Sequence, residues 1–313
     1  MTASVSLRTR ATSAAARSAG HVPAVPQPSP LVDAAALRHA VQMVQRRPLV
    51  LLDAGFDLAE PAAGERAYAA GHLPGAQYVH LDRDLCAAKN DPGPGFRGRH
   101  PLPSRVAFAA TTGRWGITPR SAVVVYDRQA GLFAARLWWM LRWLGHGRVW
   151  VLDGGMAGWL AAGGELTLDP ATPRATSSYP TGAATMPTVS ASILGRVLGR
   201  VKLVDARAPE RFRGDVEPLD RVAGHIPGAL NRPFSANLGA DGRFKPASDL
   251  AREFAALLGQ GHGAVDVVHQ CGSGVSACHN LLALEAAGRS GGRLYPGSWS
   301  EWSADPTRPV ARG

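Results

Sequence analysis

Short apolar runs recur along this chain, each ending in a polar residue or a glycine. In the first half they are Leu49–Leu52, Ala122–Tyr126 and Arg148–Leu152. In the second half Lys202–Val204, Val265–Val268 and Arg293–Tyr295 take the same roles. Runs this short, rich in Val and Leu, read as strands buried on both faces. Helix-period segments lie between them. Ala134–Leu144 places Trp139 and Trp143 on one face, where indoles belong to a core. Cys278–Glu285 follows another strand in the same way. Strands alternating with helices predict an α/β fold, with parallel β-sheets covered by helices on both faces.

The pattern occurs twice. Leu52-Asp53-Ala54 precedes Gly71-His72-Leu73-Pro74-Gly75-Ala76, and Val204-Asp205-Ala206 precedes Gly224-His225-Ile226-Pro227-Gly228-Ala229. Gly154–Trp159 parallels Gly297–Trp302. The period is too long for a solenoid, so each copy is a whole domain. The divisions expected are a basic tail at 1–30, a first domain at 31–165, a Pro- and Thr-rich linker at 166–187 and a second domain at 188–313.

Chemistry concentrates after the run Val267-Val268-His269-Gln270. Cys271-Gly272-Ser273-Gly274-Val275-Ser276-Ala277 is a cysteine followed by a tight loop of small residues, then a helix. Gly and Ser let backbone N–H groups turn inward, and the helix N-terminus adds partial positive charge. Such a cradle favours thiolate over thiol and holds an anion carried on the sulfur. In the first copy, matching Gly131 to Gly274 puts Arg128 opposite Cys271, with Asp127 beside it. The first domain therefore lacks the thiol.

The cysteine loop and the paired Gly-His-x-Pro-Gly-Ala turns resemble those of the rhodanese family of sulfurtransferases, over roughly residues 31–310. The resemblance implies two tandem rhodanese-like domains, the first non-catalytic and the second catalytic. Cys-Gly-Ser-Gly-Val-Thr-Ala is typical of its 3-mercaptopyruvate sulfurtransferases, and Ser276 here keeps the hydroxyl of that Thr. The implied catalytic residue is Cys271, with Gly272, Ser273, Gly274, Val275 and Ser276 binding the substrate and persulfide. Arg211 matches the arginine that meets the donor's anionic group, and a guanidinium suits a carboxylate or sulfonate. The family's further arginine, in Glu-Pro-Arg, is replaced: the chain reads Glu217-Pro218-Leu219-Asp220-Arg221. Arg221 is a neighbouring substitute, and thiosulfate stays open as the donor beside mercaptopyruvate. His72 is a further substrate-site candidate from the first copy; His225 reads as architectural.

The implied reaction moves sulfur through a Cys271 persulfide to a thiol acceptor such as thioredoxin, or to cyanide, with no metal or organic cofactor. Six residues between Cys271 and Cys278 exceed usual zinc-ligand spacing. Cys278 reads as a buried helix residue or as a resolving thiol, and Cys86 as structural. Cysteine phosphatases use a similar loop, but need an arginine where Ala277 stands. A persulfide carrier or regulatory module is the non-enzymatic alternative.

Composition narrows the setting. There are 34 basic and 24 acidic residues, a net charge of +10. That excess either steers small anions to a cleft or is a solvated basic surface. No aromatic-interleaved basic stripe points to nucleic acid, and no apolar run reaches the ~18 residues that cross a membrane. Three cysteines in a chain of 313 residues favour a reducing compartment, hence a cytoplasmic setting. Residues 1–30 hold Arg8, Arg10 and Arg17 and no acid, so organellar import is the minor alternative.

Overall fold

The computed structural model describes residues 29–42, 49–88, 95–171, 178–259 and 266–313. Most of the expected tail, the centre of the expected linker and Val265 lie outside the described residues.

The first domain is a five-stranded parallel sheet. Its strands are β1 (Leu31–Val32), β2 (Leu49–Asp53), β3 (Ala76–Tyr78), β4 (Ala122–Tyr126) and β5 (Val149–Leu152), in the order β1-β5-β4-β2-β3. Helices α1 (Ala34–Gln42), α2 (Ala63–Ala69), α3 (Leu81–Asp84), α4 (Arg105–Arg114), α5 (Ala134–Leu144) and α6 (Gly155–Ala161) connect and cover it.

The second domain repeats the plan with a smaller sheet. Strands β6 (Lys202–Asp205), β7 (Leu230–Asn231), β8 (Val267–Gln270) and β9 (Arg293–Leu294) are parallel in the order β7-β6-β8-β9. A single bridge from Thr188 to Leu294 stands where β1 stands in the first domain. Helices α7 (Ala191–Val197), α8 (Pro209–Arg213), α9 (Ala247–Leu258), α10 (Ser276–Ala286) and α11 (Ser298–Ala304) complete it. The short strands β1, β3 and β7 are absent from the sequence expectation, whereas the equally short β9 was expected from the run Arg293–Tyr295. Within β1, β3 and β7, two or three residues make no readable alternation.

Period-two alternation sorts the strand residues between two faces. Val50, Leu52, Val123 and Val125 face one apolar cluster, while Leu51, Val124 and Tyr126 face another, with Trp159. In the second domain Val204 and Val267 join the first of these clusters, and Leu203 and Val268 face a third, with Trp299 and Trp302. One core is thus continuous across both domains. Its seam is α5 packed along α10. Trp138 and Trp139 on α5 are wholly buried in this shared core. Burying an indole of this size stabilises by roughly 4–6 kcal/mol. The seam is therefore fixed, and residues of either domain can build one site. Among the described residues no helix is long and apolar enough to cross a membrane.

The expected linker is not a free tether where it is described. Thr167 exchanges backbone hydrogen bonds with His72, so 166–171 begins at the first domain's edge. The Tyr179 N–H donates to the Ala109 carbonyl, and Pro187 accepts from Leu294 N–H at the second sheet.

Candidate active site

Cys271 follows the last residue of β8, a strand inside its sheet with β6 and β9 on either side. The carboxyl ends of parallel strands open onto a crevice where ligands bind. The Sγ atom accepts the Gly274 N–H at 3.1 Å. Around it the backbone is clamped by the start of α11. Cys271 N–H donates to Ser298 Oγ (3.1 Å), and Trp299 and Ser300 N–H donate to the Cys271 and Gly272 carbonyls, both at 2.9 Å. Gly274 has φ +78°, and a Cβ there would collide with the Pro296 carbonyl, so only glycine fits.

A cavity of about 210 Å³ opens at the thiol, between the domains. Cys271, Gly272, Ser273, Val275, Ser276 and Arg211 all line it. Ser276 is the first residue of α10; the cap position is Val275, which makes no side-chain capping bond. The Ser276 side chain is thus a lining group and not the helix cap.

The first domain contributes what the sequence did not reveal. His100 Nδ1 lies 2.7 Å from Ser273 Oγ, and His100 Nε2 lies 3.6 Å from Asp82 Oδ1. A carboxylate, an imidazole and a hydroxyl thus run in line to the thiol's neighbour. Arg99 also lines the cavity and pairs with Asp220, whose other oxygen is 3.6 Å from Arg211 Nη2. Arg211 Nη2 is held at 2.6 Å by Glu217, which Arg207 Nη1 approaches at 3.3 Å. Two guanidiniums, one from each domain, face the same space. Arg221 is exposed and does not line the cavity; the nearby second arginine is Arg99. The basic stretch Arg97-Gly98-Arg99-His100 was visible in the sequence. Its contact to Ser273 spans 173 positions, so no local pattern announced it.

His72 is not brought to this cavity. Its ring stacks on Tyr68 at 3.9 Å, and its nitrogens lie 2.9 and 3.0 Å from the Tyr68 and Asp169 carbonyls. His225 does the same in the second domain, stacked on Phe212 with Nδ1 2.9 Å from its carbonyl. Both turns pin a helix to the chain end that closes their domain.

The counterpart of Cys271 differs from the sequence expectation. Asp53 pairs with Tyr126, and Asp205 pairs with Gln270. Asp127, not Arg128, therefore occupies the thiol's position. The Met156 N–H donates to the Asp127 carbonyl as the Trp299 N–H does to Cys271. The match by glycine slipped because the first loop is longer: α5 opens seven positions after Asp127, and α10 five after Cys271. Asp127 fills its own cradle, accepting N–H groups of Gln129, Gly131, Phe133 and Ala134 at 2.8–2.9 Å. Burial pushes its carboxyl up against the pull of those four bonds. Arg128 turns away to Asp53 at 2.7 Å.

Cys278 is wholly buried on α10, its thiol donating to the Gly274 carbonyl at 3.4 Å. Burial pushes that thiol up to about 12, so it stays protonated and a poor nucleophile.

Rhodanese-like domains match residues 38–162 and 191–305, and the chain belongs to the rhodanese family of sulfurtransferases. A Pseudomonas aeruginosa protein named as a probable 3-mercaptopyruvate sulfurtransferase is 48% identical over 268 residues, 85% of this chain and 93% of that protein. A Mycobacterium tuberculosis protein provisionally named thiosulfate sulfurtransferase SseB is 44% identical, covering 90% and 97% of the two chains. The solved 3-mercaptopyruvate sulfurtransferase of Leishmania major superposes with a TM-score of 0.76 at 27% identity, over 90% of this chain and 76% of that one.

Proposed function

We propose that this sulfurtransferase takes sulfur from 3-mercaptopyruvate onto Cys271 and passes it to a thiol acceptor. The observation that carries the donor choice is the line Asp82–His100–Ser273 beside the thiol. Losing sulfur from mercaptopyruvate leaves an enolate, which needs a proton. Losing sulfite from thiosulfate needs none.

Cys271 thiolate attacks the donor's sulfur. The sulfur–sulfur bond forms, the carbon–sulfur bond breaks, and its electron pair becomes the pyruvate enolate. Ser273, backed by His100, delivers the proton to the enolate carbon. Arg99 and Arg211 hold the donor carboxylate. The persulfide stays in the cradle of residues 272–276, where Gly274 N–H already meets sulfur. An acceptor thiolate such as thioredoxin's, or cyanide, then takes the outer sulfur and regenerates Cys271. Transfer through a covalent intermediate gives ping-pong kinetics. Cys86, Cys271 and Cys278 form no disulfide, which suits a reducing, cytoplasmic setting.

The test is kcat/KM for mercaptopyruvate and thiosulfate side by side, following pyruvate and sulfite, with Cys271→Ser as control. Preference for mercaptopyruvate upholds the reading. Preference for thiosulfate gives the donor to the second family substrate. If neither donor reacts while Cys271 accepts sulfur from a protein persulfide, the chain is a carrier.

A further inference from the structure

The two domains reach into each other's loops in a matched way. On α10, His279 Nε2 lies 3.1 Å from the Ala130 carbonyl in the first domain's loop. On α5, Arg136 Nη1 donates to the Gly274 carbonyl in the catalytic loop at 3.0 Å. Ala130 and Gly274 are equivalent: each lies three positions after the residue at the thiol's place, and each has positive φ. The groups that reach them are not equivalent. Burial pulls His279 down to about 4, so the group behind the dead loop is neutral. The group behind the live loop is a permanent cation.

That cation is wholly buried. Its other partners are the carbonyls of His100 (3.0 Å) and, at the limit of contact, Leu85 (3.5 Å), and it also meets the buried Cys278 thiol. Among the described residues no carboxylate forms an ion pair with it, and its Nε atom has no partner. An uncompensated buried charge is costly unless an anion comes within its reach. The loop it touches is where anionic sulfur is made. The Gly274 peptide that accepts from Arg136 also sets the Val275 N–H in the opposite direction, away from Arg136. In its absence, only the longer bond from the Cys278 thiol (3.4 Å) holds that carbonyl, and Gly274 can tilt the peptide and turn its oxygen toward the sulfur.

We propose that Arg136, on the non-catalytic domain, is a positioning residue for the catalytic loop: it fixes the Gly274 carbonyl and supplies the positive charge that balances anionic sulfur on Cys271. This rests on Cys271 being the sulfur-carrying thiol, but not on which donor loads it. The test therefore needs no donor. Iodoacetamide alkylation of Cys271 is timed in wild type, R136Q and R136K near pH 7, with thermal melting as the check of folding. Gln keeps a donor for Gly274 and removes the charge; Lys keeps the charge.

Near pH 7, R136Q should react about tenfold more slowly, the effect of one charge at protein-like screening. R136K should stay within about threefold of wild type. A folded R136Q with the wild-type rate near pH 7 overturns the proposal, as does equal slowing of both variants. If R136Q does not melt cooperatively, R136K decides alone: wild-type reactivity upholds the charge, and a tenfold loss in the folded protein overturns it. A wild type that alkylates normally but accepts no sulfur refutes the transfer reading and leaves the Arg136 result standing.

Discussion

Arg99→Gln is the sharpest probe of how the donor is held. Arg99 comes from the first domain, lines the cavity with Cys271 and pairs with Asp220. A hydrogen bond to a charged partner contributes about 1.5–3 kcal/mol. Its loss corresponds to roughly 10- to 150-fold in kcat/KM. The upper part of that range is expected. Asp220 is nearly buried, and without Arg99 its remaining cation is Arg211 at 3.6 Å. The carboxylate of Asp220 then opposes the carboxylate of the donor. The donor's carboxylate does not change during the reaction, so the loss should fall mainly on KM. Because both arginines share Asp220, Arg99→Gln and Arg211→Gln should combine less than additively. Restoring neutrality with Asp220→Asn in the Arg99→Gln background should recover part of the loss. The assay is pyruvate release against mercaptopyruvate concentration, with Cys271 alkylation reporting that the loop is intact. A kcat/KM within about threefold of wild type, or a loss confined to kcat, would refute the reasoning.

His100→Gln should slow pyruvate formation from mercaptopyruvate by roughly 100-fold while leaving sulfite release from thiosulfate within a few-fold; equal losses would remove the proton-delivery role. Burial pulls His269 down to about 3 and His279 to about 4, against an ordinary histidine near 6.5. Both are neutral when folded and protonate more readily when unfolded, so stability is full above about pH 6.5 and is lost as pH falls. The two together should cost about 4 kcal/mol by pH 5, read from urea melts; a flat profile between pH 7 and pH 5 would contradict it. Asp127→Ala should strand four backbone N–H groups and cost about 2–4 kcal/mol in urea unfolding, with Cys271 alkylation unchanged. A stability loss under 1 kcal/mol would mean that the carboxylate does not hold that loop.

The sequence was most readable where neighbours along the chain decide the structure. Ala122–Tyr126 and Ala134–Leu144 form a strand and a helix with the expected ends, because apolar period and end signals are local. The loop of residues 271–276 was legible for the same reason: glycines, a serine and a cysteine sit together between strand and helix. Arg99, His100 and Asp82 were not, since only the seam between α5 and α10 carries them to Ser273. His72 drew notice through a repeated motif. The repeat reflects a shared fold need, seen in the stacked pairs His72–Tyr68 and His225–Phe212. Asp127 was displaced by one position because loop length changed between the copies, and only strand register restores the match.

The apolar core that runs unbroken through both halves has a bearing on inheritance. The first copy has Asp127 where the second has its thiol, yet it is not free to drift or to be deleted. A change in α5 or in the stretch around His100 is felt at a sulfur atom in the other half of the gene. Truncation should therefore not yield a smaller working enzyme, and recombination between the copies should break matched surfaces. Duplication here made two domains but a single unit of selection.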